Sequence, residues 1–400
     1  MLSREANDRL ARVGPGTPMG NLLRRYWHPV ATCLDLAKEP VLAIKLMGEH
    51  LALYRSPSGE LGLLAERCPH RGASMAYGIP EDGGLRCPYH GWKFSEEGVC
   101  LEQPAEPASS TFKHRVRTPA YPVQELGGLI WAYLGPAPAP ELPRYDLFVR
   151  EDLKREIGIT ILPCNWLQAM ENSVDPIHLE WLHLTYKNYV SRRLGKPETA
   201  KPRRHARIAF DSFEFGIKKR RLWEGEDEAS DDWQIGHPIL FPNILSVGAP
   251  PVSIPQFQIR VPMDDTTTLH FWYYTRARQS DEPVQSEIPV YEIPHSDENG
   301  RFLVETVSGQ DMMAWITQGA ISDRTTERLG SSDKGVILYR SMLMEQMEKV
   351  ARGEDPLGVI RDPAANYPML QIPRERRVNH VSRAPGDVLA IKADGEVTRI

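Results

Sequence analysis

From about Val41 to Pro136 the apolar positions fall into short runs: VLAIKLMG, LALYR, LGLLAERC, LRCPYHGWKF, VRTPAYPVQEL and GLIWAYLG. Clusters of Gly, Pro, Asp and Ser separate them. Runs of this length and spacing predict short strands in a small antiparallel β domain. Before it lie a short amphipathic helix, a turn at Gly14–Gly20 and a second helix over Asn21–Trp27. The turn is no nucleotide loop: its glycine spacing is wrong, and Pro15 and Pro18 remove amides that a phosphate needs. The proline-rich PAPAPELPRY (136–145) reads as a connector. Boundaries follow at 1–40 (helical segment), 41–145 (β domain) and 146–400 (a larger second domain).

In that second domain Asn165 to about Tyr189 reads as helix, bent where Pro176 removes a hydrogen bond. Residues 204–278 return to strand-like runs, with the charged GEDEASDDW (225–233) as a solvated hairpin tip. Residues 282–300 read as loop, and helices resume near 301–318. A further helix spans Ser332 to about Arg352, with Ser332 and Asp333 capping its start. The tail GDVLAIKADGEV reads as a last hairpin.

Composition narrows the class. A net charge of −5 without a basic stripe argues against nucleic acid, and no apolar run is long enough to span a bilayer. The opening MLSREANDRLARVG lacks the features of a secretory signal. Five cysteines (33, 68, 87, 100 and 164) are too few and odd in number for a disulfide framework, which places the chain in a reducing cytoplasm.

Two motifs carry chemistry. The first is Cys68-x-His70, sixteen intervening residues, then Cys87-x-x-His90. Two thiolates and two imidazoles at the tips of two loops suit a Rieske [2Fe–2S] cluster, in which histidines replace cysteines on one iron. A single zinc accepts the same atoms, but the loop contents PHRGA and PYHGW and the spacing favour the cluster. The second motif, ENSVDPIHLEWLH (171–183), holds Asp175, His178 and His183. Histidines five apart lie about 140° around an ideal helix and share a face only if it is bent or bulged. Two imidazoles and one carboxylate with open positions make the facial triad of a non-haem Fe(II) site. Asp311, Asp323 and Asp333 are downstream candidates for the carboxylate. Asp311, in the apolar SGQDMMAW, needs a partner to stay ionised, which a metal provides; it is the chosen ligand.

In this order the motifs resemble the oxygenase subunit of Rieske non-haem iron aromatic ring-hydroxylating oxygenases. The RVGPGTPMGNLLRRYWHPV opening and the QGAISDRTTERLGSSDKGVILYR run after Gln310-Asp311 resemble the phthalate dioxygenase-like branch, which includes biaryl O-demethylase subunits. The resemblance implies an α+β chain: an antiparallel β Rieske domain, then a helix-grip (START-like) catalytic domain with a curved antiparallel sheet and helices. It implies a cluster on Cys68, His70, Cys87 and His90, and Fe(II) on His178, His183 and Asp311. It further implies that Asp175 bridges His178 to His90 of a neighbouring subunit in a homotrimer or stacked trimers. The substrates would be an aromatic acid and O2, with NAD(P)H electrons delivered through a separate reductase or ferredoxin, since the chain has no dinucleotide fingerprint. The positions of the loop-clamping cysteines of respiratory Rieske domains hold Ala73 and Tyr89.

Other residues have plainer readings. Cys33, Cys100 and Cys164 read as inert thiols, and His205, His237, His270 and His295 as structural or surface residues. Glu171 and Asn172 are either hydrogen-bonding support for the site or ordinary helix residues. Lys218–Arg221 is a solvated face, a dock for an acidic partner, or a guide for an anionic substrate. Pocket residues are expected from strands near 240–275 and the helix near 310–320. The competing class is a Rieske electron carrier or ligand-binding protein without mononuclear iron.

Overall fold

The structure, a computed structural model, describes residues 1–248, 255–374, 389–391 and 397–399. The first half contributes eleven strands: β1 (Trp27–Thr32), β2 (Val41–Leu46), β3 (Glu49–Arg55), β4 (Leu61–Ala65), β5 (Ile79–Glu81), β6 (Gly84–Arg86), β7 (Lys93–Phe94), β8 (Cys100–Glu102), β9 (Ala120–Tyr121), β10 (Val123–Leu126) and β11 (Leu129–Tyr133). They form three antiparallel sheets, ordered β1-β11-β10, β2-β3-β4-β9 and β5-β6-β7-β8. In the sheet of β2, β3, β4 and β9, strand β3 is buried on both faces over Leu51–Tyr54, and its side chains alternate between two cores. On β3, Leu51 and Leu53 enter the main core, while Ala52 and Tyr54 face a smaller core that holds Cys68, Cys87 and Trp92. The metal-binding loops thus rest on a floor shared with the rest of the protein.

Near the N-terminus, Thr17 caps a helix that starts at Pro18 and ends at Leu23, earlier at both ends than the expected Asn21–Trp27, and Trp27 opens strand β1. Pro18 sits at a helix start, where its missing N–H costs nothing. His28 on β1 is fully buried; its Nε2 donates to the Leu23 carbonyl at 2.8 Å, and its Nδ1 faces the Asn243 amide at 3.3 Å. Burial holds its pKa down to about 4, from 6.5. A histidine with a depressed folded pKa contributes its full stability above the unfolded value, and loses it as pH falls from about 6.5 to about 4. The urea-unfolding free energy should therefore fall by about 2–3 kcal/mol from this group between pH 7.5 and 4.5. His28→Gln should narrow that pH difference; an unchanged difference would exclude His28 as the cause.

The second half contributes β12 (Leu153–Leu162), β13 (His205–Phe213), β14 (Gly216–Trp223), β15 (His237–Leu240), β16 (Ile244–Val247), β17 (Gln256–Pro262), β18 (Thr268–Ala277), β19 (Val290–Glu292), β20 (Leu389–Ile391) and β21 (Val397–Arg399). They form one sheet, ordered β13-β14-β15-β16-β17-β18-β12-β19-β20-β21. The helix-grip expectation of a curved, wholly antiparallel sheet needs correction. The sheet is mixed, since β19 pairs parallel to β12 (Ile157↔Val290), and it is open, running from β13 at one edge to β21 at the other. The cause is a three-residue strand inside the stretch 282–300, which pairs beside β12 and extends the sheet outward. In the tail, β20 and β21 pair antiparallel, and the intervening 392–396 lie outside the described residues.

Against this sheet pack helices Trp166–Ser173, Val307–Ile316 and Lys334–Ala351. Buried Glu171 ties the first of these helices to the third and to the segment of Arg324. It accepts from Arg324 at 2.8 and 2.7 Å and from Arg340 at 2.6 Å, and Arg340 also pairs with Glu327. Burial alone would raise the Glu171 pKa, but the two guanidiniums hold it below the ordinary carboxylate value. Its role is therefore to anchor the helix that leads into the turn before His178. Among the described residues no helix is long and apolar enough to cross a membrane.

Candidate metal centres

The two cluster loops are built alike. In each, an arginine precedes the cysteine and a glycine closes the turn: Arg67-Cys68…Gly72 and Arg86-Cys87…Gly91. Gly72 N–H donates to the Cys68 carbonyl at 2.8 Å, and Gly91 N–H to that of Cys87 at 3.0 Å. Both glycines have positive φ, +76° and +74°, which side chains disfavour. Arg67 Nη1 holds the Gly72 carbonyl at 3.2 Å, and Arg86 Nη1 holds that of Gly91 at 2.7 Å. The repeated device brings the His70 and His90 rings to 4.5 Å, with Trp92 stacked on His70 at 4.4 Å and Tyr89 against His90 at 3.8 Å.

The donors fit a two-iron cluster. The Nδ1 atoms of His70 and His90 are buried without a hydrogen-bond partner, as metal-facing nitrogens would be. Burial, with Cys87 alongside, raises the Cys68 thiol to about 11, a cost that metal ligation of the thiolate removes. The four donors do not gather as they would around zinc, whose tetrahedral ligands lie within about 4 Å of one another. Among the described residues one group of three or more such donors lies within 4.8 Å, and it is a different one: His178, His183 and Asp311. All five cysteines are unbridged.

That second group depends on a local distortion. The helix Trp166–Ser173 ends before Pro176, and after a turn the chain from Leu179 to Tyr186 is a π-helix. Hydrogen bonds from i to i+5 bring residues five apart into register on successive turns. His178 and His183 therefore face each other with ring centroids 5.1 Å apart, which a regular helix would prevent. Asp311 comes from the helix Val307–Ile316; its Oδ1 lies 3.1 Å from His183 Nε2 and 3.9 Å from His178 Nε2. Asp323 is exposed and caps its own turn, its carboxylate accepting from Thr325.

Neighbours fix these donors. Gln310 Nε2 donates to the Val304 carbonyl at 2.9 Å, which aims its Oε1 at His183 Nδ1, 3.0 Å away. His183 therefore carries its proton on Nδ1 and presents Nε2 beside Asp311, an arrangement suited to a metal-ligating histidine. Asn172 Nδ2 donates to Asp311 Oδ1 at 3.4 Å, so of the two residues before the motif it is Asn172 that supports the site. Asp175 Oδ1 accepts from Ile177 N–H at 2.7 Å, while its Oδ2 lies 3.6 Å from His178 Nδ1. Burial would raise the Asp311 pKa, but His183 and then His178 hold it below the ordinary value. Burial lowers His178, with Asp175 opposing; burial also works against His183, yet Asp311 holds it above its ordinary value.

A cavity opens beside these donors. The inward faces of β14 to β18 line it, together with Asn172, Ser173, Leu179, Val307 and Ser308. The strands near 240–275 and the helix of Asp311 contribute, as the sequence reading expected. Lys219 and Arg221 of β14, from the run for which guiding an anionic substrate was one reading, also line it, as does His237 of β15, which reads from the sequence as structural or surface.

A two-loop Cys/His iron–sulfur site followed by a His/His/Asp site in a cavity defines an iron-dependent redox protein of two centres. The Rieske [2Fe-2S] domain model matches residues 26–122, and the LigXa C-terminal domain like model matches 296–372. The chain is 48% identical over 371 residues to the 5,5'-dehydrodivanillate O-demethylase oxygenase subunit of Sphingobium sp. (strain NBRC 103272 / SYK-6), covering 92% of this chain and 85% of that one. It is 31% identical to the phthalate 4,5-dioxygenase oxygenase subunit of Pseudomonas putida, covering 90% and 89%. The solved structure of Pseudomonas putida CBB5 NdmA shares the fold, with a TM-score of 0.62 at 23% identity over 84% of this chain and 94% of that one. The chain belongs to the Rieske non-haem iron oxygenases, as an oxygenase subunit of the phthalate dioxygenase and biaryl O-demethylase branch. Membership implies an aromatic substrate, O2 and an electron-donating reductase.

Proposed function

We propose that this terminal oxygenase oxidises a methoxylated biaryl carboxylate, releasing the methyl group by O-demethylation. The observation that carries an oxygenase reading over an electron carrier is the convergence of His178, His183 and Asp311 within 4.8 Å. A carrier has no use for a second metal site inside a cavity. The choice of substrate rests on the 48% identical relative, named for 5,5'-dehydrodivanillate.

In this reading Cys68, His70, Cys87 and His90 hold the cluster, and His178, His183 and Asp311 hold Fe(II). When bound, these groups supply one-electron transfer and O2 activation. The protein's own part is positional. Gln310 sets the His183 tautomer, Asn172 steadies Asp311, and the Ile177 N–H orients Asp175. Asp175 bridges His178 to His90 of a neighbouring subunit in a homotrimer, and can take up proton shifts as the cluster changes charge. The proposed units are 1–40, the Rieske domain 41–145 and the catalytic domain 146–400, working in the cytoplasm with a reductase that handles NAD(P)H.

The test is turnover of 5,5'-dehydrodivanillate with a surrogate reductase, scoring formaldehyde against diol product, together with metal analysis. About three irons per chain and formaldehyde in step with O2 uptake are expected. About two irons and no product would return the chain to the carrier class.

A further inference from the structure

The run Lys218–Arg221 is divided by the strand that carries it. On β14 the buried face holds Ile217, Lys219, Arg221 and Trp223, alternating with less buried residues from Lys218 onward. The outward pair is engaged within the chain: Lys218 lies over the Phe213 ring at 5.2 Å, and Arg220 pairs with Asp211. The inward pair, Lys219 at 2% and Arg221 at 1% exposure, lines the cavity of the His/His/Asp site. Both also have partners within the chain, which hold their heads at the cavity wall.

We infer that Lys219 and Arg221 form the subsite for a carboxylate of the aromatic substrate. The inference rests on the aromatic-acid reading above and adds where the acid group is held. Two residues apart on one strand face, their stems rise about 6.6 Å apart. Both heads can therefore converge on one carboxylate, the guanidinium as a fork and the ammonium as a point charge. Each is already oriented: Lys219 Nζ donates to the Ser173 carbonyl at 2.7 Å, and Arg221 Nη2 lies 3.3 Å from Asp232 Oδ1. Polarity then changes across the sheet. After the cations of β14 come His237 on β15, Leu245 and Val247 on β16, Gln256 and Gln258 on β17, then Trp272 and Tyr274 on β18. A ligand with an anionic end and an aromatic body matches that order, with its acid group at β14 and its rings toward β18.

The test is anaerobic binding of 5,5'-dehydrodivanillate and of its dicarboxamide, a neutral isostere, to the metal-loaded protein by calorimetry. The acid should bind about ten- to a hundredfold more tightly. Lys219→Met and Arg221→Met should each weaken acid binding by a similar factor while leaving the amide unchanged, and Lys219→Arg should restore part of the preference. Retained cluster absorption shows that a variant is folded; if Arg221→Met fails this check, the wild-type comparison and Lys219→Met decide. Equal affinity for acid and amide in the wild type, or an undiminished preference in Lys219→Met, would overturn the subsite alone. Failure of both compounds to bind would overturn the biaryl-acid reading with it.

Discussion

Asp311→Ala is expected to lower product formation by about a thousandfold or more, and to cut the iron content from about three per chain to about two. The visible spectrum of the cluster should stay unchanged, because its ligand loops rest on a separate small core around Cys68, Cys87 and Trp92. The effect is large because Asp311 is the single carboxylate of the triad, and it lies 3.1 Å from His183. Its loss leaves two imidazoles, 5.1 Å apart by ring centroid, as the whole donor set. A variant that kept all its iron and turned over near the wild-type rate would remove Asp311 from the site.

Asp175→Asn should keep both metal sites loaded and still reduce turnover by about a hundredfold. The side chain stays in place in either form, since the Ile177 N–H that Oδ1 accepts at 2.7 Å can equally meet an amide oxygen. What is lost is the negative charge 3.6 Å from His178 Nδ1, on a side chain that remains 27% exposed. That partial exposure is what contact with a neighbouring subunit requires. Rapid-mixing spectroscopy should show the reduced cluster reoxidising slowly in the variant. Reoxidation and O2 uptake near the wild-type rate would end the bridging role.

The correction to the fold has a local cause. Val290–Glu292 is flanked by Pro289 and Ile293-Pro294, too short a segment to display a two-residue period. It reads as loop, yet it pairs beside β12 and makes the sheet mixed. The second N-terminal helix was displaced for a related reason: the apolar run continues through Trp27–Thr32, and only pairing with β11 makes its last part a strand. Glu171 and Asn172 had identical standing in the sequence. The fold assigns Glu171 to Arg324 and Arg340, and Asn172 to Asp311.

By itself the sequence determined the chemistry of the donors: two Cys/His loops, a His pair five residues apart beside a helix-breaking proline, and an acid in apolar surroundings. These are short-range properties, set by side-chain type and by spacings within a single turn or loop. Only the tertiary structure decided which distant groups meet. The π-helix turned His178 toward His183, the helix of Asp311 closed the triad, and the β14 register sent Lys219 and Arg221 inward while Lys218 and Arg220 turned away. The His178–His183 pairing is local to one distorted helical segment, whereas the approach of Asp311 and of β14 to it depends on packing between elements far apart in the chain.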